Sequence, residues 1–137
     1  EASQARNAQT AVLFIDLDRF KYVNDTHGHE VGDRLMQAVA RRLSDVISER
    51  GRLIRYGGDE FVVIVPDVNR SSAEKLAEVL IAAIEAPFTV ANESLSISAS
   101  VGVALAEHRG FHPDAVIRDA DAAMYSAKAL RLAPPPA

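Results

Sequence analysis

The sequence predicts an α+β fold, with a largely antiparallel central sheet flanked by helices in a split βαβ arrangement. Three observations predict it. The apolar run AVLFI (11–15) suits a strand buried on both faces. Apolar residues then recur at helical spacing from Val31 to Ile47, and the turn in RYGGDEF (55–61) joins two further apolar runs as a hairpin. A second helix, an alternating strand and a third helix follow, so the order is β, α, β-hairpin, α, strand or hairpin, α.

Each element has its own signals. Residues 1–8 are polar and read as a linker or the end of a preceding helix, 9–131 form one domain, and the proline-rich 132–137 read as an exit linker. The first strand ends at Asp16. Leu35, Ala38, Val39, Leu43, Val46 and Ile47 continue the stripe begun at Val31, and Gly51 stops that helix. RLIRY (52–56) and FVVIVP (61–66) flank the GGDE turn, with Pro66 closing the hairpin. SSAE (71–74) fits a capping box built on Ser71 and Glu74, followed by Leu76, Val79, Leu80, Ala83 and Ile84, and Pro87 marks the end. Beyond a turn near Asn92, Leu95, Ile97, Ala99, Val101 and Val103 alternate with Ser96, Ser98, Ser100 and Gly102, which predicts a strand. Pro113 and Asp114 suit a helix's first turn, and Val116, Ile117, Ala120, Ala123, Met124 and Ala127 give that helix an apolar face.

Composition narrows the function. The chain's 137 residues, 48% of them hydrophobic, are enough for one core and too few for two. A formal charge of -4 with no broad basic run argues against gripping a nucleic acid duplex, while a small phosphorylated ligand needs only a few cations. The absence of cysteine excludes disulfides and thiolate zinc sites and favours a cytoplasmic setting, whether or not the full-length protein is tethered to a membrane. No apolar stretch approaches the roughly 20 residues of a membrane span, so no membrane contact by this domain is expected. The chain opens at Glu1 without a methionine, which suggests a domain excised from something longer.

In the predicted topology the end of the first strand lies beside the hairpin turn, which brings Asp16 to Asp59 and Glu60. Carboxylates clustered in this way raise one another's pKa unless a cation neutralises them. Magnesium, which takes a few hard oxygens and leaves room for substrate phosphates, would suit Asp16, Asp59, Glu60 and a backbone carbonyl such as that of Leu17. Any one of these acids alone reads most simply as a turn residue; the joint pattern carries the metal reading.

The segment DLDRFKYVNDTHGHEVGD (16–33) leads from a buried strand into a helix, where free backbone N–H groups can bind phosphate, and Lys21 adds a cation. Guanine presents adjacent N1–H and N2–H donors that a carboxylate can accept together, and an amide can complete the edge. Asp33 and Asn24 have that chemistry. Gly57 and Gly58 would let a nucleotide approach the backbone closely.

Taken together, FIDLDRFKYVNDTHGHEVGD, RYGGDEF, SISASVGVA and DADAAMYSAK resemble, in order and over roughly residues 11–130, the GGDEF family of diguanylate cyclases. The resemblance implies a ferredoxin-like fold of the nucleotide-cyclase kind. It implies condensation of two GTP molecules to cyclic di-GMP with release of two pyrophosphates, using Mg²⁺ or Mn²⁺, in a homodimer whose active sites face each other. By the same resemblance Asp16, the Leu17 carbonyl and Asp59 bind metal with Glu60 close by. Asn24 and Asp33 read guanine, Phe20 and Lys21 meet phosphates through the loop, and Lys128 reaches the terminal phosphates. Asp59 accepts the proton of the 3′-hydroxyl.

The sequence also departs from the family. Members usually carry an arginine four residues beyond the lysine matching Lys128, and here that position is Leu132, preceded by Arg131. The R-x-x-D pattern of the family's inhibitory product site is replaced at its matching positions by Ser48 and Gly51, so feedback inhibition there is not expected. His27 stands where an apolar residue is common. Leu132 keeps a second reading open, a catalytically weak GTP-binding domain that regulates an attached EAL-type phosphodiesterase domain, and sensory or phosphodiesterase domains are expected in the full-length chain.

Overall fold

The computed structural model describes residues 9–107 and 112–132, with side chains to residue 130. The segments read as linkers, 1–8 and 133–137, lie outside the described residues. The chain runs β1 (Gln9–Asp18), α1 (Phe20–His27), α2 (His29–Ile47), β2 (Arg52–Gly57), β3 (Glu60–Val68), α3 (Arg70–Glu85), β4 (Phe88–Val90), β5 (Glu93–Leu95), β6 (Ser98–Glu107) and α4 (Pro113–Leu132), with a 3₁₀ turn at Ser48–Arg50. The main sheet has the order β2-β3-β1-β6, antiparallel throughout, and β4 and β5 form a separate hairpin. No helix among the described residues is long and apolar enough to cross a membrane.

β1 is central and buried along nearly its whole length, which explains its continuous apolar run. Ala11, Leu13, Ile15 and Leu17 face one side and join Phe61, Val63 and Val65 of β3 under α2 and α3. Val12 and Phe14 face the other side, where Val62, Ala104, Val116, Ala120 and Met124 form a smaller core under α4. Asp16 and Asp18 continue this second face, so the period of two carries both carboxylates to the side on which α4 lies.

The structure corrects six details of the sequence reading. Residues 20–27, read as a loop, are helical: Phe20 and Val23, one turn apart, are buried in the main core. Arg19 starts α1 in the left-handed region at φ 61° without a side-chain cap, so no start signal was legible. Gly28, at φ 91°, separates α1 from α2, which therefore begins at His29 rather than Val31. α3 is capped by Asn69, whose side chain accepts from the Ser72 N–H at 2.8 Å, and not by Ser71. β3 continues past Pro66 to Val68, because by then its pairing with β2 has ended at Ile64. Leu95 belongs to β5 rather than to β6, and Ser100, Gly102 and Ala104 are buried, with α4 closing over Gly102 and Ala104. Leu132, assigned to the exit linker, is the last residue of α4.

Arg42 fastens the β4–β5 hairpin to the body. Its guanidinium donates to the carbonyls of Ala83, Ala86 and Pro87 at the end of α3, and lies 3.5 Å over the Phe88 ring.

Candidate active site

Strand register builds the acidic corner. Asp16 and Glu60 are direct partners across β1 and β3, and the Leu17 N–H donates to the Asp59 carbonyl at 3.0 Å, which ties the hairpin turn to the end of β1. One oxygen from each of Asp16, Asp59 and Glu60 lies within 4.8 Å of the others. Gly57 leaves room for this, since a Cβ there would collide with the Glu60 carboxylate.

Burial, then the charge of Asp16, pushes the Asp59 carboxyl above its ordinary 3.8. Glu60 is likewise raised above 4.5 by burial, followed by the charges of Asp16, Asp59 and Asp121. Lys128, arriving on α4, donates from Nζ to Asp16 Oδ2 at 2.7 Å, and that hydrogen bond raises its own pKa. Convergent hard oxygens that already draw in an ammonium form a donor set that could hold a metal ion. Leu17, with its side chain in the core and its N–H spent on Asp59, keeps its backbone at this corner.

A cleft of about 310 Å³ opens beside the corner, at the lower end of ligand-site volumes of about 300–1,000 Å³. Phe20, Lys21, Asn24, Asp33, Arg55, Gly58 and Asp59 line it. Every one of these except Arg55 is a residue the sequence reading singled out. Phe20 is buried; Lys21 is exposed and lies 4.0 Å from Asp25, both in α1, so neither sits in a loop. Gly32 is buried under Asn24, whose amide occupies the space a Cβ at 32 would need. Gly58 faces open space, which leaves the cleft floor without a side chain. Lys128, Asp16 and Glu60 are outside the cleft lining, and Asp59 belongs to both groups.

Two residues escaped the sequence reading. Arg55 donates to the carbonyls of Gly58 at 2.9 Å and Gly57 at 3.4 Å, holding the turn in place; a cation two positions before the first glycine was the available signal. Asp18 is buried and accepts from the hydroxyls of Ser98 and Ser100, each at 2.9 Å. The alternation of aspartates in DLD, set against alternating serines in the neighbouring strand, could have revealed it.

The raised carboxyls yield a stability test. A group whose pKa is higher in the folded state disfavours its ionised form there, so its penalty is full at neutral pH and fades as pH falls through the folded pKa toward the unfolded value. With divalent metal removed by a chelator, Asp59→Asn will therefore melt above the wild type at pH 7. That advantage will shrink as the pH approaches 3.8 in parallel thermal melts. An advantage that grows on acidification would contradict the assignment.

Residues 1–131 match the family model described as "Diguanylate cyclase, GGDEF domain". The chain belongs to the GGDEF family. Diguanylate cyclase TpbB of Pseudomonas aeruginosa is 41% identical over 130 residues, covering 93% of this chain and 30% of that protein. Cyclic di-GMP phosphodiesterase PdeR of Escherichia coli is 37% identical over 126 residues, 92% of this chain and 19% of that one. The GGDEF domain therefore spans less than a third of these relatives. The crystal structure of the GGDEF domain of a P. aeruginosa protein named YfiN or TpbB superposes with a TM-score of 0.84 at 39% identity, covering 94% of this chain and 81% of that one. Its likeness supports the nucleotide-cyclase-like fold.

Two departures noted in the sequence take on a physical form in this GGDEF domain. A side chain at Gly51 would meet the Ile64 carbonyl oxygen at 2.5 Å, so an aspartate could not be placed there without moving β3. His27 has a partner: its Nδ1 lies 3.0 Å from Glu93 Oε2, joining the end of α1 to β5. The Leu132 side chain lies outside the described residues.

Proposed function

We propose that this domain is a diguanylate cyclase, condensing two GTP molecules into cyclic di-GMP with release of two pyrophosphates. The observation that carries the reading is the double membership of Asp59, which lines the cleft and also joins the carboxylate cluster. A nucleotide seated in the cleft thus ends its phosphates at the acids and Lys128. Asn24 and Asp33 hold the guanine edge, Phe20 supports the cleft wall, and Lys21 and Lys128 meet phosphate oxygens. Gly57 and Gly58 keep the turn open to the nucleotide.

The new bond joins the 3′-oxygen of one GTP to the α-phosphorus of the other, and the bond from that phosphorus to pyrophosphate breaks. Asp59 accepts the proton released by the 3′-hydroxyl, and Glu60 keeps the corner negative enough to attract cations. Asp16, Asp59, Glu60 and the Leu17 carbonyl would hold Mg²⁺ or Mn²⁺, which when bound would neutralise charge on the attacking oxygen and the departing pyrophosphate. One cleft seats one GTP. Two domains must therefore face each other as a homodimer, which gives the reaction its alignment. The domain, 9–131, acts in the cytoplasm beside sensory or phosphodiesterase domains of a longer protein.

Purified, dimerised protein with GTP and Mg²⁺ should yield cyclic di-GMP on nucleotide chromatography. A regulatory reading is favoured by Leu132 in place of the family's arginine and by relatives such as PdeR. GTP binding without turnover, even in a forced dimer, would decide for it. Asp33→Ala will reduce preference for GTP over ATP by about 10- to 100-fold, because the guanine donors lose their paired acceptor. An unchanged preference in competitive binding would remove Asp33 from the site.

A further inference from the structure

We infer that Lys128 is an exchangeable counter-ion: without metal its ammonium occupies Asp16, and metal entry moves it off that carboxylate and frees it for the nucleotide's phosphates. The inference rests on the metal reading above. Lys128 Nζ lies 2.7 Å from Asp16 Oδ2, with the Asp16 side chain only 13% exposed, so this carboxylate has little water to replace a lost partner. Asp16 is also the carboxylate that pairs in register with Glu60 and lies within reach of Asp59. A second cation drawn to these three oxygens meets the ammonium at contact range, and the two repel.

Lys128 is built to yield. Its helix is anchored by Ala120 and Met124, both buried against the sheet, while the lysine itself is 28% exposed and carries its charge on a flexible four-carbon stem. The stem can swing without moving α4. A triphosphate beside the corner gives the displaced ammonium a new partner, so metal and nucleotide each favour the other's binding through one side chain.

The test measures Mn²⁺ alone, without nucleotide, by the paramagnetic signal of the free ion. Lys128→Met will bind Mn²⁺ about fivefold tighter or more than the wild type, and Lys128→Arg, which keeps a cation at the same reach, will stay near it. Asp59→Ala separates the two levels of the argument. If Asp59→Ala weakens Mn²⁺ binding but Lys128→Met leaves it unchanged or weaker, the exchange is overturned and the metal site stands. If Asp59→Ala has no effect, the metal reading falls and the exchange with it. Acylation of lysines, followed by peptide mass spectrometry, supplies a second measurement. Labelling of Lys128 relative to the exposed Lys75 should rise several-fold at saturating Mn²⁺, and no rise would overturn the exchange.

Discussion

Asp59→Ala will lower cyclic di-GMP formation by at least about 10³-fold while leaving the domain folded. The loss is large because the proposed mechanism asks three things of one carboxylate: to face the cleft, to complete the metal donors and to receive the proton of the attacking hydroxyl. Removing it leaves Asp16 and Glu60 as an incomplete set. The fold survives because the contact from Asp59 to β1 is made by its carbonyl, which accepts from Leu17 N–H and is unaffected by the side chain. Relief of repulsion with Asp16 should even raise the melting temperature of the metal-free protein. Turnover within tenfold of the wild type would exclude Asp59 from the reaction, and a collapse of the melting transition would make the loss structural.

Gly102→Ala will have the largest effect on stability. Gly102 sits on β6 under α4, where a Cβ would collide with the Ala120 carbonyl oxygen and the Met124 nitrogen. These are backbone atoms of a helix and cannot rotate aside, so the helix itself must lift from the sheet. Overpacking of this kind costs about 3 kcal/mol, or a fall in melting temperature of about 10 °C in a domain of this size. Activity should fall beyond the loss of folded protein, because α4 carries Lys128 to Asp16. A normal melting curve would show that α4 can shift freely, contrary to the close packing of Val116, Ala120 and Met124.

Most of the architecture was legible because burial and periodicity coincide. β1 reads as a doubly buried strand and is one, and the stripes of α2, α3 and α4 mark the faces that pack, except that Val79 of the α3 stripe is exposed while Ala73 and Ala77 are buried. Elements without that agreement were missed. α1 buries only Phe20 and Val23 and begins without a cap, so its eight residues resembled a polar loop. The serines of β6 read only as the face opposite the apolar residues, yet Ser98 and Ser100 are turned to a buried carboxylate. At the site, the acids were found because the predicted topology lets hairpin and strand be neighbours. Arg55 was not, since its bonds run to main-chain carbonyls and its place two positions before the first glycine was the one signal in the sequence. The attachment of Lys128 to Asp16, 112 positions apart, depends on how α4 is laid across the sheet, a long-range matter that local spacing does not encode.

The facing of Asp16 and Glu60 across two strands carries a consequence for how errors in assembly would be felt. Slippage of β1 past β3 by a single position would invert every side chain on the slipped strand. Phe14 and Val12 would leave their core in the same event that carried Asp16 away from Glu60. Because both faces of β1 are covered, the slipped strand would press Asp16 and Asp18 into the apolar core under α2 and α3, so a misaligned molecule would lose its stability together with its cluster of acids. Selection for stability and selection for reactivity thus act on the same alignment of two strands, and neither can drift without the other.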